Sequence, residues 1–79
     1  MNIKSEAEWG ARASAFLKHK LKDGEVTYVE LAKRLKKHGF KDESEASITM
    51  KLKRGTFSAT FFLACLAALE LDGVALEEI

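Results

Sequence analysis

The segment from Gly55 to Leu69 contains no charged residue, although the whole chain has only 79 residues. It is shorter than the ~20 apolar residues that a membrane span requires. Phe, Leu and Ala occupy every side of this segment when it is drawn as a helix, and Ser58 precedes them as an N-cap. A chain of this length builds one small core. We therefore predict a central helix over 59–71, on which the rest of a single domain, residues 1–79, packs.

A first helix is predicted over residues 6–22. Ser5 to Glu8 has the S-x-x-E form of a capping box, in which the serine accepts from a backbone N–H and the glutamate reaches back to the cap. The apolar residues that follow recur at helical spacing: Trp9, Ala13, Phe16, Leu17 and Leu21. Asp23 and Gly24 end this helix, and its apolar stripe is expected to face the core.

A second helix is predicted over residues 28–38. Thr27 to Glu30 repeats the capping-box pattern, and Val26 is placed to staple onto Leu31. Lysines and an arginine gather toward the end of this helix, where the macrodipole favours cations. Gly39 closes the helix. The macrodipole therefore gives part of this basic cluster a purely local explanation.

Residues 43–54 fit two kinds of secondary structure. Asp42 with Glu45 offers a third capping box, and Ile48 with Leu52 forms an i, i+4 apolar pair, as in a short helix ended by Gly55. Residues 46–53 also alternate between apolar and polar, which is typical of a strand. Such a strand would pair with residues 25–29 as a short hairpin in an α+β fold, at the cost of the capping box at residue 27.

The helical interpretation of residues 43–54 keeps every capping signal, and we therefore predict an all-α fold. The expected architecture is a compact four-helix single domain. A short apolar tail over residues 74–79 follows the fourth helix. This tail is expected either to close the core or to pair with a second copy of the chain.

Charge is unevenly distributed along the chain, although the formal net charge is only +1. Residues 18–54 hold eleven Lys and Arg against six Asp and Glu, whereas residues 55–79 hold four acids and no base. A basic middle of this kind indicates an anionic partner such as nucleic acid. A solvated basic helix face is the alternative explanation.

The order of these features resembles the repressor-like helix-turn-helix proteins of the phage lambda and Cro type. The resemblance runs roughly from Thr27 to Leu71 and includes "ELAKRL", a glycine turn, a short helix ending in "KRG" and a Ser-capped apolar helix. In that family the helix after the turn lies in the DNA major groove, and the preceding helix crosses the backbone. The resemblance implies a transcriptional regulator that binds double-stranded DNA through residues 43–54. It also implies a homodimer, because one short helix reads only a few base pairs.

The patterns "TY-x-ELA", "RGTFSA-x-FF" and "CLAAL" resemble a second group, a family of small uncharacterised bacterial domains. That likeness implies no particular activity.

Two kinds of DNA contact are expected from the basic middle of the chain. Phosphate contacts need only positioned cations, whereas sequence readout needs side chains that reach base edges. Ile48 and Leu52 should face inward, which leaves Met50 and several polar residues outward, and the Arg54 guanidinium suits a guanine. The predicted DNA-binding residues are Lys36, Lys37, Lys41, Ser44, Ser47, Lys51, Lys53 and Arg54.

Other classes of protein have weaker support in the sequence. No P-loop, dinucleotide fingerprint or catalytic triad occurs, so we predict no enzyme and no cofactor. His19 and His38 are isolated among lysines, which predicts no metal site, and Cys65 in its apolar run should be a small core residue. A single cysteine and an N-terminus without a signal-peptide pattern favour a cytoplasmic protein. The alternative function is a non-catalytic helical adaptor whose basic face meets an acidic protein.

Overall fold

A computed structural model describes residues 2–79 of the chain. It contains four α-helices, α1 (Glu6–Asp23), α2 (Tyr28–Lys36), α3 (Glu45–Arg54) and α4 (Ala59–Ala68), followed by a 3₁₀ turn at Leu76–Glu78. The all-α, four-helix prediction is confirmed. The alternative with a hairpin from residues 25–29 and 46–53 is wrong, because residues 46–53 lie inside α3 and residues 2–79 include no strand.

Hydroxyl side chains begin all four helices. Ser5, Thr27 and Ser58 each accept a hydrogen bond from the backbone N–H three residues ahead, as predicted. The return bonds from Glu8 and Glu30 that would complete the two predicted capping boxes are not formed within residues 2–79, and Glu30 pairs with Arg34 instead. The third cap differs from the prediction, because α3 starts at Ser44 and not at Asp42. Ser44 accepts from the N–H of Ser47 (3.1 Å), and the Ser47 hydroxyl accepts from the N–H of Ser44 (2.8 Å). Two serines therefore form the reciprocal box that had been assigned to an aspartate and a glutamate.

The core is formed by one face of each helix. The residues in it are Phe16, Leu17, Leu21, Val26, Leu31, Ala32, Leu35, Ile48, Leu52, Phe61, Cys65, Leu66 and Ala68. The inward orientation predicted for Ile48 and Leu52 is confirmed. Trp9 was predicted to lie in the core but is 41% exposed.

The fourth helix is not buried on every side, contrary to the prediction. α4 packs against α2, and its Phe62 and Phe61 rings meet Phe16 of α1 and Lys51 of α3, so one side of α4 faces the core. Leu63 on the opposite side is 61% exposed. The helix also ends at Ala68, before Asp72 and Gly73, because the backbone enters the left-handed region at Glu70 (φ 59°).

The closest approach between helices occurs where α1 passes the end of α3. Gly10 and Gly55 meet backbone to backbone, and a Cβ atom added at Gly10 would lie 2.1 Å from the carbonyl oxygen of Gly55. Gly55 also takes the left-handed conformation (φ 70°) that ends α3, as a C-terminal glycine commonly does. The two glycines together fix how closely α1 and α3 pack.

The C-terminal tail folds back onto α1. Val74 and Ile79 pack against the core, Arg12 donates to the carbonyl oxygen of Ile79 (3.3 Å), and Lys20 pairs with Glu78 (3.2 Å). A hydrogen bond from the N–H of Ala75 and the contact with Lys20 lower the pKa of the Glu78 carboxyl. Of the two roles expected for the tail, the fold shows the one that closes the core.

Candidate nucleic-acid interface

The connection between α2 and α3 is held in a defined conformation. The N–H groups of His38 and Phe40 both donate to the carbonyl oxygen of Leu35, and Gly39 between them has φ 91°. The Phe40 ring then meets Phe61 edge-on, with 6.1 Å between ring centroids. These contacts anchor the turn to the core, so α3 is presented at a fixed position relative to α2.

Lys51, one of the predicted DNA contacts, has its ammonium group already paired within the protein. Its ammonium pairs with the carboxylate of Glu43, whose side chain is 9% exposed, and lies 4.7 Å from the centroid of the Phe61 ring. Ser47 donates a further hydrogen bond to Glu43 (2.7 Å). Lys51 and Ser47 therefore hold α3 against the loop before it and against α4, through an ion pair and a cation–π contact.

The pKa of Glu43 reflects this arrangement. Burial alone would raise the pKa, but the hydrogen bonds from Lys51 and Ser47 and the positive charge of Lys51 outweigh burial and lower it below the usual value for a glutamate. A carboxyl group with a lowered pKa in the folded state stabilises that state above its unfolded pKa. This stabilisation of the folded state is lost as the pH falls through the pKa that Glu43 has in the folded state.

We expect the Glu43→Gln variant to be less stable than the wild type at neutral pH, by about 1 kcal/mol, since the partly exposed pair is screened by solvent. The difference should shrink as the pH falls below the ordinary pKa of a glutamate, because protonation removes the same charge from the wild type. Urea denaturation at several pH values measures this change. Glu70→Gln is the matched control, since Glu70 is exposed and has no ion pair among residues 2–79. A difference that does not depend on pH would contradict the prediction.

The remaining predicted cations are exposed and form two groups. Lys36, Lys37 and Lys41 lie at the turn between α2 and α3, and Lys53 and Arg54 lie at the end of α3. None of these five forms a salt bridge within residues 2–79. A ten-residue helix is about 15 Å long, so the two groups flank α3 at its opposite ends and do not converge on one point.

Arg54 lies at the second of these ends, beside α1. It borders an open cleft together with Glu6, Gly10 and Phe57. Arg54 therefore lies near the acidic first turn of α1, at the opposite end of α3 from the turn that carries Lys41.

Arg34, also in the basic middle of the chain, is committed to internal contacts. Its guanidinium donates to Glu30 (3.0 Å) and to the carbonyl oxygen of Ala68 (3.1 Å) at the end of α4. This arginine therefore joins α2 to α4, and α4 gains a cation at the end of the helix where its macrodipole favours one.

The outward face of α3 differs from the face expected from the sequence. The exposed residues of α3 are Glu45, Ala46, Thr49, Met50, Lys53 and Arg54, while Ser47 and Lys51 are half-buried. Thr49 donates its hydroxyl to the carbonyl oxygen of Glu45 (2.8 Å). The sequence did contain the signal for this face, because residues 46 and 50 stand two positions from Ile48 and so lie opposite it on a helix.

Two other sequence predictions concern residues away from this interface. Cys65 lies fully in the core, and burial raises the pKa of its thiol to about 12, with a smaller effect from the negative charge of Glu43. His19 is less isolated than predicted, because its Nε2 atom lies 3.3 Å from Asp23. Within residues 2–79 no group of three or more potential metal ligands occurs, and no helix is long and apolar enough to cross a membrane.

The chain is a small all-α domain. The turn between α2 and α3 is anchored to the core, and the exposed face of α3 has cations at both ends. The chain belongs to the family described as "Domain of unknown function (DUF6471)", whose model matches residues 9–74. This match covers all of α2, α3 and α4 and most of α1. No curated protein and no solved structure matches the chain.

Proposed function

We propose that this domain is a transcriptional regulator that binds double-stranded DNA, with α2, the turn and α3 acting as a helix-turn-helix. The observation that carries the proposal is the outward face of α3, which is flanked at both ends by exposed cations without an internal partner. Cations that are not neutralised within the protein remain available to phosphates. Their release of counterions from DNA supplies most of the nonspecific affinity.

The spacing of the cations suits a helix in the major groove. The groove is about 12 Å wide and is bordered by a phosphate backbone on each side. The two basic groups flank a helix of about 15 Å, so each group is placed to meet one border of the groove while α3 lies between them. In this arrangement the residues assigned to phosphates are Lys36, Lys37, Lys41, Lys53 and Arg54.

Four residues have different roles from those assigned from the sequence. Ser44 and Ser47 form the capping box of α3, and Lys51 pairs with Glu43, so their side chains position the helix from within the protein. Arg54 is assigned here to a phosphate at the end of α3, in place of the guanine contact through O6 and N7 that the sequence suggested. The pairing of Lys51 also leaves the face of α3 with less positive charge than the sequence suggests.

The dependence of DNA affinity on salt tests the proposed function. Fluorescence anisotropy with a labelled 20-base-pair duplex should show log affinity falling linearly with log salt, with a slope near −4.5 for about five phosphate contacts. A duplex recovered by selection from random DNA at ~150 mM salt should bind more tightly than an unrelated duplex. Affinity without a salt slope, or no binding at low salt, would refute the proposal.

The proposed regulator is a homodimer, and the exposed side of α4 is the surface that favours this. Leu63 is 61% exposed there, and α4 contains no charged residue. Two copies of an uncharged face meet across a two-fold axis without placing like charges together. The exposure of this face also favours a second candidate function, that of a protein-interaction module. In that case α4 pairs with α4 of a second copy and DNA is not bound.

We expect Leu63→Lys to weaken self-association by at least tenfold, because each copy would bring a buried positive charge to the axis. Analytical ultracentrifugation of the variant and the wild type across a concentration series measures the change. Val29→Lys is the control, since Val29 is an exposed valine on α2. A wild type that stays monomeric at millimolar concentration, or equal effects of both variants, would contradict the prediction.

A further inference from the structure

We infer that the outward face of α3 recognises the 5-methyl groups of thymine in the major groove. This inference rests on the proposed function and specifies which feature of the DNA the helix reads. It follows from the chemical groups that the fold leaves exposed on α3. Between the exposed Glu45 at the start of α3 and the cations at its end, those groups are mostly apolar, which is unusual for a surface that is proposed to bind DNA.

The hydroxyl groups that α3 and its cap could have offered to base edges are already engaged within the protein. The hydroxyls of Ser44 and Ser47 bond to each other's backbone N–H groups, and the hydroxyl of Thr49 bonds to a backbone carbonyl one turn earlier. α3 contains no Asn, Gln or Arg before its last residue. The bidentate amide contacts by which proteins identify adenine are therefore absent from this helix.

What the face does present is a row of methyl and methylene groups. Ala46 offers its β-methyl, Thr49 its γ-methyl, and Met50, which is 50% exposed, its flexible thioether chain. Thr49 and Met50 follow Ala46 by three and four positions, so both lie beside Ala46 on the surface of the helix. Thr49 contributes only its methyl group because the hydroxyl is held at 2.8 Å from the carbonyl oxygen of Glu45.

Thymine is the base whose major-groove edge matches this row. Its C5-methyl is the one apolar group that the four bases display there, and alanine, threonine methyl and similar side chains contact it. The cations at both ends of α3 bring the duplex to this face by charge, and the apolar row then distinguishes the bases. Glu45, at the start of α3, is exposed and is placed to accept a hydrogen bond from cytosine, so it adds no recognition of thymine.

Replacing thymine by uracil tests the inference, because uracil lacks only the methyl group. We expect a 20-base-pair alternating A·T duplex to bind more tightly than its A·U copy, by about 4-fold for each methyl group contacted. A G·C duplex in which cytosine is replaced by 5-methylcytosine should gain affinity over the unmodified duplex. Fluorescence anisotropy at one fixed salt concentration measures all four affinities.

A protein variant separates contact with the methyl groups from the effect of those groups on DNA shape. The double variant Thr49→Ser and Met50→Ala keeps the hydroxyl bond to Glu45 and should lose most of the preference for thymine over uracil. Val29→Ala, at an exposed apolar residue on α2, should keep the full preference. Circular dichroism confirms that each variant is folded, as expected for exposed positions.

The possible results distinguish this inference from the proposed function. Equal affinity for the A·T and A·U duplexes, with a normal salt slope, would refute the reading of methyl groups and leave DNA binding in place. A thymine preference that survives in the double variant would refute it as well, because DNA shape would then account for the preference. Absence of salt-dependent binding to any of the duplexes would refute both.

Discussion

Replacing Gly10 with alanine is expected to destabilise the domain by about 3 kcal/mol, although alanine is the better helix former. In an ordinary helix interior this change gains up to about 1 kcal/mol. Here the new Cβ would lie 2.1 Å from the carbonyl oxygen of Gly55, and that neighbour is backbone, which cannot rotate away. Helices α1 and α3 would have to separate, at a cost in the upper range for overpacked cores. Urea denaturation followed by circular dichroism measures the loss.

Two other glycines provide controls for Gly10→Ala. At Gly24 the added Cβ would meet its nearest neighbour at 3.5 Å, an ordinary contact, and at Gly73 it would meet nothing within 4 Å. Neither residue has a positive φ. Alanine at either position should change the free energy of unfolding by no more than about 0.5 kcal/mol. A Gly10→Ala variant as stable as these controls would mean that α1 and α3 are not packed as closely as described.

The second large effect is expected in DNA affinity when three of the flanking cations are removed. The variant Lys41→Ala, Lys53→Ala, Arg54→Ala should bind DNA on the order of 100-fold more weakly at ~100 mM salt. Each lost phosphate contact should also reduce the salt slope by about 0.9, so the slope should fall by nearly 3. All three side chains are exposed and unpaired within residues 2–79, so the fold should be unaffected.

A second triple variant with the same change of charge is the control for this effect. Lys4, Lys18 and Lys22 are exposed, lie outside α2 and α3, and take part in none of the salt bridges within residues 2–79. Replacing these three by alanine should reduce affinity only through the net charge of the molecule, by a few-fold. Equal losses in the two triple variants would show that DNA, if bound, does not meet α3 in particular.

The parts of the fold that were predicted from the sequence depend on local interactions. A hydroxyl cap acts within three residues, and an apolar stripe follows from helical spacing, so four helices and an inward Ile48 and Leu52 could be derived. The cap at Ser44 was missed because a serine at both positions of a capping box is a weaker signal than the Asp42 and Glu45 pair that stood beside it.

The parts that were not predicted depend on contacts between distant residues. The pairing of Lys51 with Glu43 spans eight residues and relies on Phe61 from another helix. No local pattern therefore indicated that the Lys51 ammonium would be paired within the protein. The meeting of Gly10 and Gly55 likewise requires the crossing of two helices. The exposed side of α4 could not be predicted from composition, because an apolar helix is covered only where the fold supplies neighbours.

The buried thiol of Cys65 can be used to detect unfolding of the domain. It is the single cysteine of the chain, it is inaccessible in the core, and a pKa raised to about 12 keeps it protonated. A thiol-reactive dye should therefore label the protein only during openings that expose the centre of α4. The labelling rate, measured in native buffer without denaturant, gives the population of open molecules for each glycine and glutamate variant on one common scale.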